Sequence, residues 1–282
     1  MYYCVDNNLI SQAIISIYSL RNNGYSGNVH VYSLHHLDDI YVDKLNLLGV
    51  ETTILDKGIF SNYSLLVDEK ISLTGYLRYY IPSIISDKYD FSLYLDSDTL
   101  IIDELALPPF GMHDYLIGGV PEFYNIKNLP LIKYFNNPLY LNSGVLLFNN
   151  SLWKRSNCFY NMFDWMSANK SLIVFHDQCG LNGFLYTYNC DVKVLPSNFN
   201  VYGWLYFSML LKIHPFINPT IVHFNSFIGR PWNIVCLHPL QFKYRKIMMK
   251  LFNKYYFKFG SLSDLKGFIL FLINYFRMLY VK

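Results

Sequence analysis

Two carboxylates, two residues apart, close the apolar run Phe91-Ser92-Leu93-Tyr94-Leu95-Asp96-Ser97-Asp98-Thr99. In an extended chain residues i and i+2 point to the same side, so Asp96 and Asp98 emerge together at a strand end. Such a pair repels itself unless a cation lies between the carboxylates, and a hard divalent ion with oxygen ligands, Mn²⁺ or Mg²⁺, is the usual resolution. The plainer alternative is that one Asp caps the following turn while the other is solvated. A D-x-D taken alone does not choose between the two.

The elements that must position this pair follow from hydrophobic periodicity. Over the first hundred residues strand-like runs (2–5, 29–34, 52–55, 91–95) alternate with helix-like ones (11–21, 38–48, 74–85), a rhythm that predicts a parallel sheet covered by helices. Ligands of such sheets bind at the carboxyl ends of the strands, so functional residues should follow the strands. Beyond residue 100 the rhythm loosens into strand-like 116–120, 144–148, 192–195 and 220–224 and helix-like 152–166 and 177–185.

Composition narrows the class. The 282 residues are 52% apolar, with 26 Tyr, 22 Phe and only 15% charged residues, which excludes a disordered chain and predicts a surface rich in Tyr, Asn and Ser, with limited solubility or a membrane neighbour. Five scattered cysteines (4, 158, 179, 190 and 236) have neither zinc-site nor disulfide-scaffold spacing, and a reducing cytoplasm is the expectation. The first residues lack a secretory leader's basic and apolar regions, and 268–281 is too short and too interrupted to span a bilayer. Residues 239–282 carry a net +8 and residues 1–238 a net −5, so two parts are expected: a catalytic domain over 1–238 and a basic, aromatic helical tail over 239–282. Lys246, Lys250, Lys254 and Lys258 recur every four residues of the tail, beside Ile247, Met248, Leu251, Phe252, Tyr255 and Phe259. That pattern fits a helix lying on an anionic membrane, or one packed on the acidic body; nucleic acid is not the expected partner.

Two chemistries use the D-x-D. Asp96-Ser97-Asp98-Thr99 fits the D-x-D-x-T string of Mg²⁺-dependent, haloacid-dehalogenase-like phosphatases, in which the first Asp attacks phosphorus. That site needs a further acidic cluster, whereas Asp114, Glu122, Asp164, Asp177 and Asp191 are single and dispersed. Alternatively, the metal joins the diphosphate of a nucleotide-sugar to the protein. Five further motifs bear on this choice: Val5-Asp6-Asn7-Asn8, Tyr76-Leu77-Arg78, Leu141-Asn142-Ser143-Gly144-Val145-Leu146-Leu147-Phe148-Asn149, Asp177-Gln178-Cys179-Gly180-Leu181-Asn182, and His223-Phe224-Asn225-Ser226-Phe227-Ile228-Gly229-Arg230-Pro231-Trp232. In their order they resemble family 8 of the retaining glycosyltransferases, the group of lipooligosaccharide galactosyltransferases and glycogenin-like enzymes, over roughly residues 1–232.

The resemblance implies an α/β, Rossmann-like GT-A fold with a mixed central sheet and a helical C-terminal extension. It also implies donor binding by Asp6, Asn8, Arg78, Asp96, Ser97, Asn142, Ser143, Asp177 and Arg230, a metal on Asp96, Asp98 and His223, and catalytic roles for Gln178, beside the anomeric carbon, and Asp177, on the donor hydroxyls. The chain departs from the family pattern at Leu9, where a stacking Tyr is common, at Cys179, which replaces the second acid of D-Q-D, and at Ser226 and the longer loop before Arg230. The implied activity is metal-dependent transfer of a hexose, galactose or glucose, from a UDP-sugar with retention. The implied acceptor is a saccharide such as lipooligosaccharide, lipopolysaccharide or another surface glycan, and lipid linkage would place the enzyme at the inner face of the cell membrane. A catalytically degenerate, glycan-binding member stays open as an alternative. Acceptor choice is expected in loops near 58–70, 122–137 and 200–218.

Overall fold

The computed structural model describes the chain except for residues 64, 66–71, 107–110, 123–125, 137–138, 213, 226–229, 234–235, 237, 255–268 and 270–282. In chain order the elements are β1 (Tyr2–Cys4), α1 (Ile10–Asn22), β2 (Val29–Ser33), α2 (Asp39–Leu47), β3 (Val50–Ile54), α3 (Leu77–Ile85), β4 (Phe91–Leu95), β5 (Thr99–Ile101) and β6 (Ile117–Pro121). There follow α4 (Pro130–Phe135), β7 (Leu141–Asn149), α5 (Asn150–Arg155), α6 (Cys158–Ala168), α7 (His176–Thr187), β8 (Val192–Val194), β9 (Val201–Tyr202), α8 (Gly203–Leu210), β10 (Ile221–His223) and α9 (Gln241–Phe252).

The chain divides into two compact units. The first comprises Met1–Ala13, Ser26–Ser97 and Ala106–Ser197, the second Ile14–Tyr25, Asp98–Leu105 and Asn198–Lys282. The division passes inside the D-x-D motif, between Ser97 and Asp98.

The first unit holds a seven-stranded sheet in the order β3-β2-β1-β4-β7-β6-β8. The four strands of the expected alternation pair in parallel, but β7 runs antiparallel to both β4 and β6, so the sheet is mixed rather than all parallel. This reversal matters for the site. Leu95 pairs with Val145 and Pro121 with Leu141, which sets the beginning of β7 beside the carboxyl ends of β4 and β6. Residues entering one strand and leaving two others therefore meet at one sheet edge.

Helices α5 and α6 replace the single helix expected over 152–166. Asn157 adopts a left-handed backbone, φ 52°, a conformation a short polar side chain tolerates better than most. The core of this unit is built from rings. Trp153, Phe148, Phe159, Phe163, Tyr76 and Tyr79 are buried, with edge-to-face and tilted contacts such as Phe148 on Trp153 at 4.9 Å and Phe159 on Phe163 at 4.6 Å. Many of the tyrosines expected on the surface are thus interior: Tyr2, Tyr3, Tyr76, Tyr79, Tyr94 and Tyr140 are at most 1% exposed. A buried hydroxyl needs a partner, and several of these find theirs on functional groups described below.

The second unit holds a three-stranded sheet, β5-β10-β9, with β10 antiparallel to β5 and parallel to β9. Helix α9 begins the tail. It buries Tyr244, Ile247, Met248 and Phe252, with Tyr244 against Trp232 and Phe224. Arg245 donates to the carbonyls of Pro231 and Asn233. The apolar face of this segment therefore packs on protein, while Lys243, Lys246 and Lys250 stay exposed. Lys254, just past α9, is exposed too, whereas Tyr255, Lys258 and Phe259 of the expected stripe lie outside the described residues. No helix of the described residues is long and apolar enough to cross a membrane.

Candidate active site

In the first unit the site residues follow strand ends, as the sheet requires. At the end of β1 the Asp6 carboxylate accepts from the Asn8 backbone N–H at 2.9 Å. Asn7 donates to the His36 carbonyl and to Asp38, tying this turn to the one after β2. Asp6 is half-buried and Asn8 exposed.

Arg78, in the first turn of α3, is buried, and protein groups surround its guanidinium. Nε donates to the Gly75 carbonyl at 2.9 Å and lies 3.5 Å from Asp177; Nη1 donates to the Ser143 carbonyl at 3.0 Å and pairs with Asp96 at 3.1 Å. Burial works against its charge, but its neighbours, Asp96 above all with Asp177 among the lesser ones, more than offset it, and its pKa is held well above the ordinary value. Within this unit the Arg78 guanidinium thus meets two carboxylates and two carbonyls.

Buried tyrosines complete this arrangement. The Tyr94 hydroxyl donates to Asp96 at 2.5 Å and the Tyr79 hydroxyl to Asp177 at 2.8 Å, while Tyr2 donates to the Arg78 carbonyl at 2.7 Å. Burial raises the pKa of all three phenols, keeping them protonated donors. The Arg78 guanidinium also lies 4.6 Å from the centre of the Tyr94 ring, within cation–π range. Asp177 stands in the first turn of α7, where the helix dipole favours a negative charge.

A second network surrounds Gln178. Its Oε1 accepts from Asn142 Nδ2 and from the Ser143 backbone N–H, both at 3.0 Å, and its Nε2 donates to Glu122 at 3.1 Å. Asn142 Nδ2 reaches the same Glu122 oxygen at 3.1 Å, while Asn142 Oδ1 accepts from the Gly144 N–H. Glu122, just past β6, is thus a carboxylate beside Gln178, where the motifs alone suggested none. The strand-end rule pointed to its position; its isolation among dispersed acids hid its role. Ser97 is buried at the end of this unit.

Cys179 turns out to be a core residue. It is fully buried, its Sγ lying 3.1 Å from the Tyr140 hydroxyl and accepting from the Phe175 N–H.

In the second unit β10 and β5 bring His223 and Asp98 together. His223 pairs with Thr99, and the next N–H, of Phe224, donates to the Asp98 carbonyl at 2.9 Å. His223 Nε2 then lies 3.0 Å from the Asp98 carboxylate, and Nδ1 lies 2.9 Å from Asn200 Oδ1. Burial works against ionisation of Asp98, but His223 and then Arg230 outweigh it and hold the carboxyl below the usual range. Arg230 is half-buried, and its Nε makes no hydrogen bond among the described residues. Ser226 lies outside them. A carboxylate and an imidazole nitrogen are a fitting start for Mn²⁺ or Mg²⁺, and Asp96 is joined to Asp98 through Ser97 alone.

The family model of glycosyl transferase family 8 matches residues 1–236. The chain belongs to glycosyl transferase family 8. Among relatives, it is 29% identical over 145 residues to a putative glycosyltransferase of Haemophilus influenzae, covering 50% of this chain and 42% of that one. It is 23% identical over 142 residues to probable galacturonosyltransferase-like 4 of Arabidopsis thaliana, covering 46% and 40%. The chain thus spans less than half the length of these two relatives. Among solved structures, the galactosyltransferase LgtC in complex with donor and acceptor sugar analogues superposes with a TM-score of 0.73 at 20% identity, covering 89% of this chain and 95% of that one. This family 8 chain therefore has the GT-A fold. The phosphatase reading gains no support from any of these matches.

Proposed function

We propose that this family 8 chain is a metal-dependent glycosyltransferase that moves a hexose, galactose or glucose, from a UDP-sugar to a saccharide acceptor with retention of configuration. The observation that carries the proposal is the 3.0 Å approach of His223 to Asp98, which Ser97 alone separates from Asp96 in the D-x-D that follows β4. Asp98 and His223, with Asp96 as the first acid of the motif, are the ligands in this reading, and their donors suit Mn²⁺ or Mg²⁺. A divalent cation bound by them supplies Lewis-acid neutralisation of a departing diphosphate.

The chain's own residues have the remaining roles. Asp6 and Asn8 receive the uridine, and Ser97 and Arg230 the diphosphate; the Arg230 Nε, which has no hydrogen bond among the described residues, suits a phosphate oxygen. Arg78 holds Asp96 and Asp177 in place, so that Asp177 meets the sugar hydroxyls in a fixed geometry. Asn142 and Ser143 fix Gln178 at the anomeric carbon. Positive charge builds on the sugar as the bond to phosphate breaks, and the carboxylates of Asp177 and Glu122 provide a negative field on that side. The acceptor hydroxyl attacks from the leaving-group side and gives its proton to a diphosphate oxygen. Cys179 as a core residue weakens the degenerate-binder alternative, because its missing carboxylate is not a vacancy in the sugar site.

Surface glycan, lipopolysaccharide or lipooligosaccharide among them, is the acceptor class, and the exposed Lys243, Lys246 and Lys250 of α9 hold the enzyme to an anionic inner leaflet by charge rather than by the buried apolar face. A panel of UDP-hexoses incubated with the protein, Mn²⁺ and glycan acceptors tests the activity. Release of UDP, with transfer to acceptor and with product of unchanged anomeric configuration, is expected for one hexose. Binding without any UDP release would select the glycan-binding alternative, and phosphate release from simple monoesters would revive the phosphatase.

A further inference from the structure

A neutral imidazole carries one proton on two nitrogens, and only the nitrogen without it can ligate a metal. His223 Nε2 faces the Asp98 carboxylate at 3.0 Å while Nδ1 faces Asn200 Oδ1 at 2.9 Å. Which nitrogen bears the proton is therefore decided by the second contact. If Nδ1–H of the neutral ring donates to the Asn200 oxygen, the Nε2 lone pair points towards Asp98, and two acceptors oppose each other unless a second proton or a metal cation lies between them. If the Asn200 amide is reversed, Nε2–H donates to Asp98 and the imidazole is lost as a ligand.

Rigid surroundings make this choice consequential. Asn200 is 1% and His223 2% exposed, so neither side chain can turn to water for a substitute partner. Asn200 enters β9, whose Tyr202 pairs with His223 itself, and the Tyr202 ring stands nearly perpendicular to the imidazole. Asn198, two residues earlier, accepts the Thr220 N–H through its carbonyl and donates to the Thr220 hydroxyl through its side chain, securing the start of β9 next to the strand that delivers His223. The two elements are thus registered by backbone pairing.

We infer that Asn200 is a positioning residue that fixes His223 with the proton on Nδ1, leaving Nε2 available for the metal. This inference rests on the metal-binding reading of Asp98 and His223 but makes a separate claim. Outer hydrogen-bond partners of metal-bound histidines commonly contribute about 10- to 100-fold to metal affinity.

The test is Mn²⁺ binding by the full chain with saturating UDP, followed by the electron paramagnetic resonance of free Mn²⁺, for wild type, Asn200→Leu, Asn200→Asp and His223→Ala. Imidazole ¹⁵N shifts in the Mg²⁺·UDP state provide the second readout, and thermal unfolding reports on folding. Expected are a loss of about 10- to 100-fold in affinity for Asn200→Leu, retention within a few-fold for Asn200→Asp, whose carboxylate accepts the same proton, and an Nδ1-protonated His223 in wild type. Asn200→Leu binding Mn²⁺ like wild type, or an Nε2-protonated His223 in the Mg²⁺·UDP state, overturns the role of Asn200 while leaving the metal site intact. Should Asn200→Leu fail to fold, the wild-type ¹⁵N shifts decide alone. Wild type and His223→Ala binding Mn²⁺ equally would overturn the metal reading, and this inference with it.

Discussion

Gln178 Nε2 donates to Glu122 at 3.1 Å across 56 residues of chain. With Asn142 and the Ser143 N–H occupying the other end of the amide, Gln178 has one orientation rather than two. Glu122→Ala removes the acceptor and frees the amide to turn. The expected result is a fall in kcat for sugar transfer of about 10- to 100-fold, the scale on which small misplacements act, with the KM for UDP-sugar changed much less. Steady-state kinetics with fixed acceptor checks the split; an equal rise in KM at constant kcat would place Glu122 in binding instead.

Arg78 separates two carboxylates that would otherwise repel. Arg78→Met leaves Asp96 and Asp177 without their shared cation, and breaking a buried pair from one side costs about 3–5 kcal/mol. The shift of the denaturation midpoint measures this. Adding Asp177→Asn should recover part of the loss, because one of the stranded charges is then gone; strict additivity would argue against the coupling.

Cys179→Asp, which writes the familiar acid back into the motif, is expected to harm rather than improve the protein. The carboxylate would enter a fully buried position beside the Tyr140 hydroxyl, where its folded-state pKa rises and each unit of the rise costs about 1.4 kcal/mol above the unfolded pKa. The penalty should therefore be small near pH 4 and largest at pH 7 and above, as read from the melting temperatures of mutant and wild type.

How much of this was legible beforehand depends on the range over which each feature is determined. The run 91–95 matches β4 residue for residue, since five apolar or small residues followed by two acids leave little choice. Strands β5 and β9, of three and two residues, carry no period of their own and exist because β10 lies between them. The break between α5 and α6 rests on the backbone of Asn157, flanked on both sides by helix-compatible sequence. In the site, the D-x-D and His223 could be read from type and spacing. Glu122 and Asn200 act on residues 56 and 23 positions away, and no residue-type motif marks either, although Glu122 does follow a strand end.

His238 gives the fold a dependence on acid. The Leu240 N–H donates to its Nδ1 and its Nε2–H donates to the Gly203 carbonyl, so the neutral ring satisfies both contacts and a second proton would displace the first. Burial lowers its pKa to about 4. Because the unfolded chain takes up the proton near pH 6.5, stability is complete above that pH and declines as the pH falls towards 4, by about 3 kcal/mol in all. In His238→Gln the decline between pH 6.5 and 4 should be shallower; melting temperatures across that window test it, and an unchanged slope would assign the dependence elsewhere.

On the proposed reading, Asp98 and His223 bind the diphosphate of a nucleotide-sugar through a divalent cation. Calorimetric titration of UDP into the full chain, with Mn²⁺ and with excess chelator, for wild type, Asp98→Asn and His223→Ala, tests it most directly. Tight binding is expected for wild type with Mn²⁺, and binding weaker by about 10- to 100-fold after chelation or in either variant. Equal affinity with and without the cation, in wild type and variants alike, would contradict that reading.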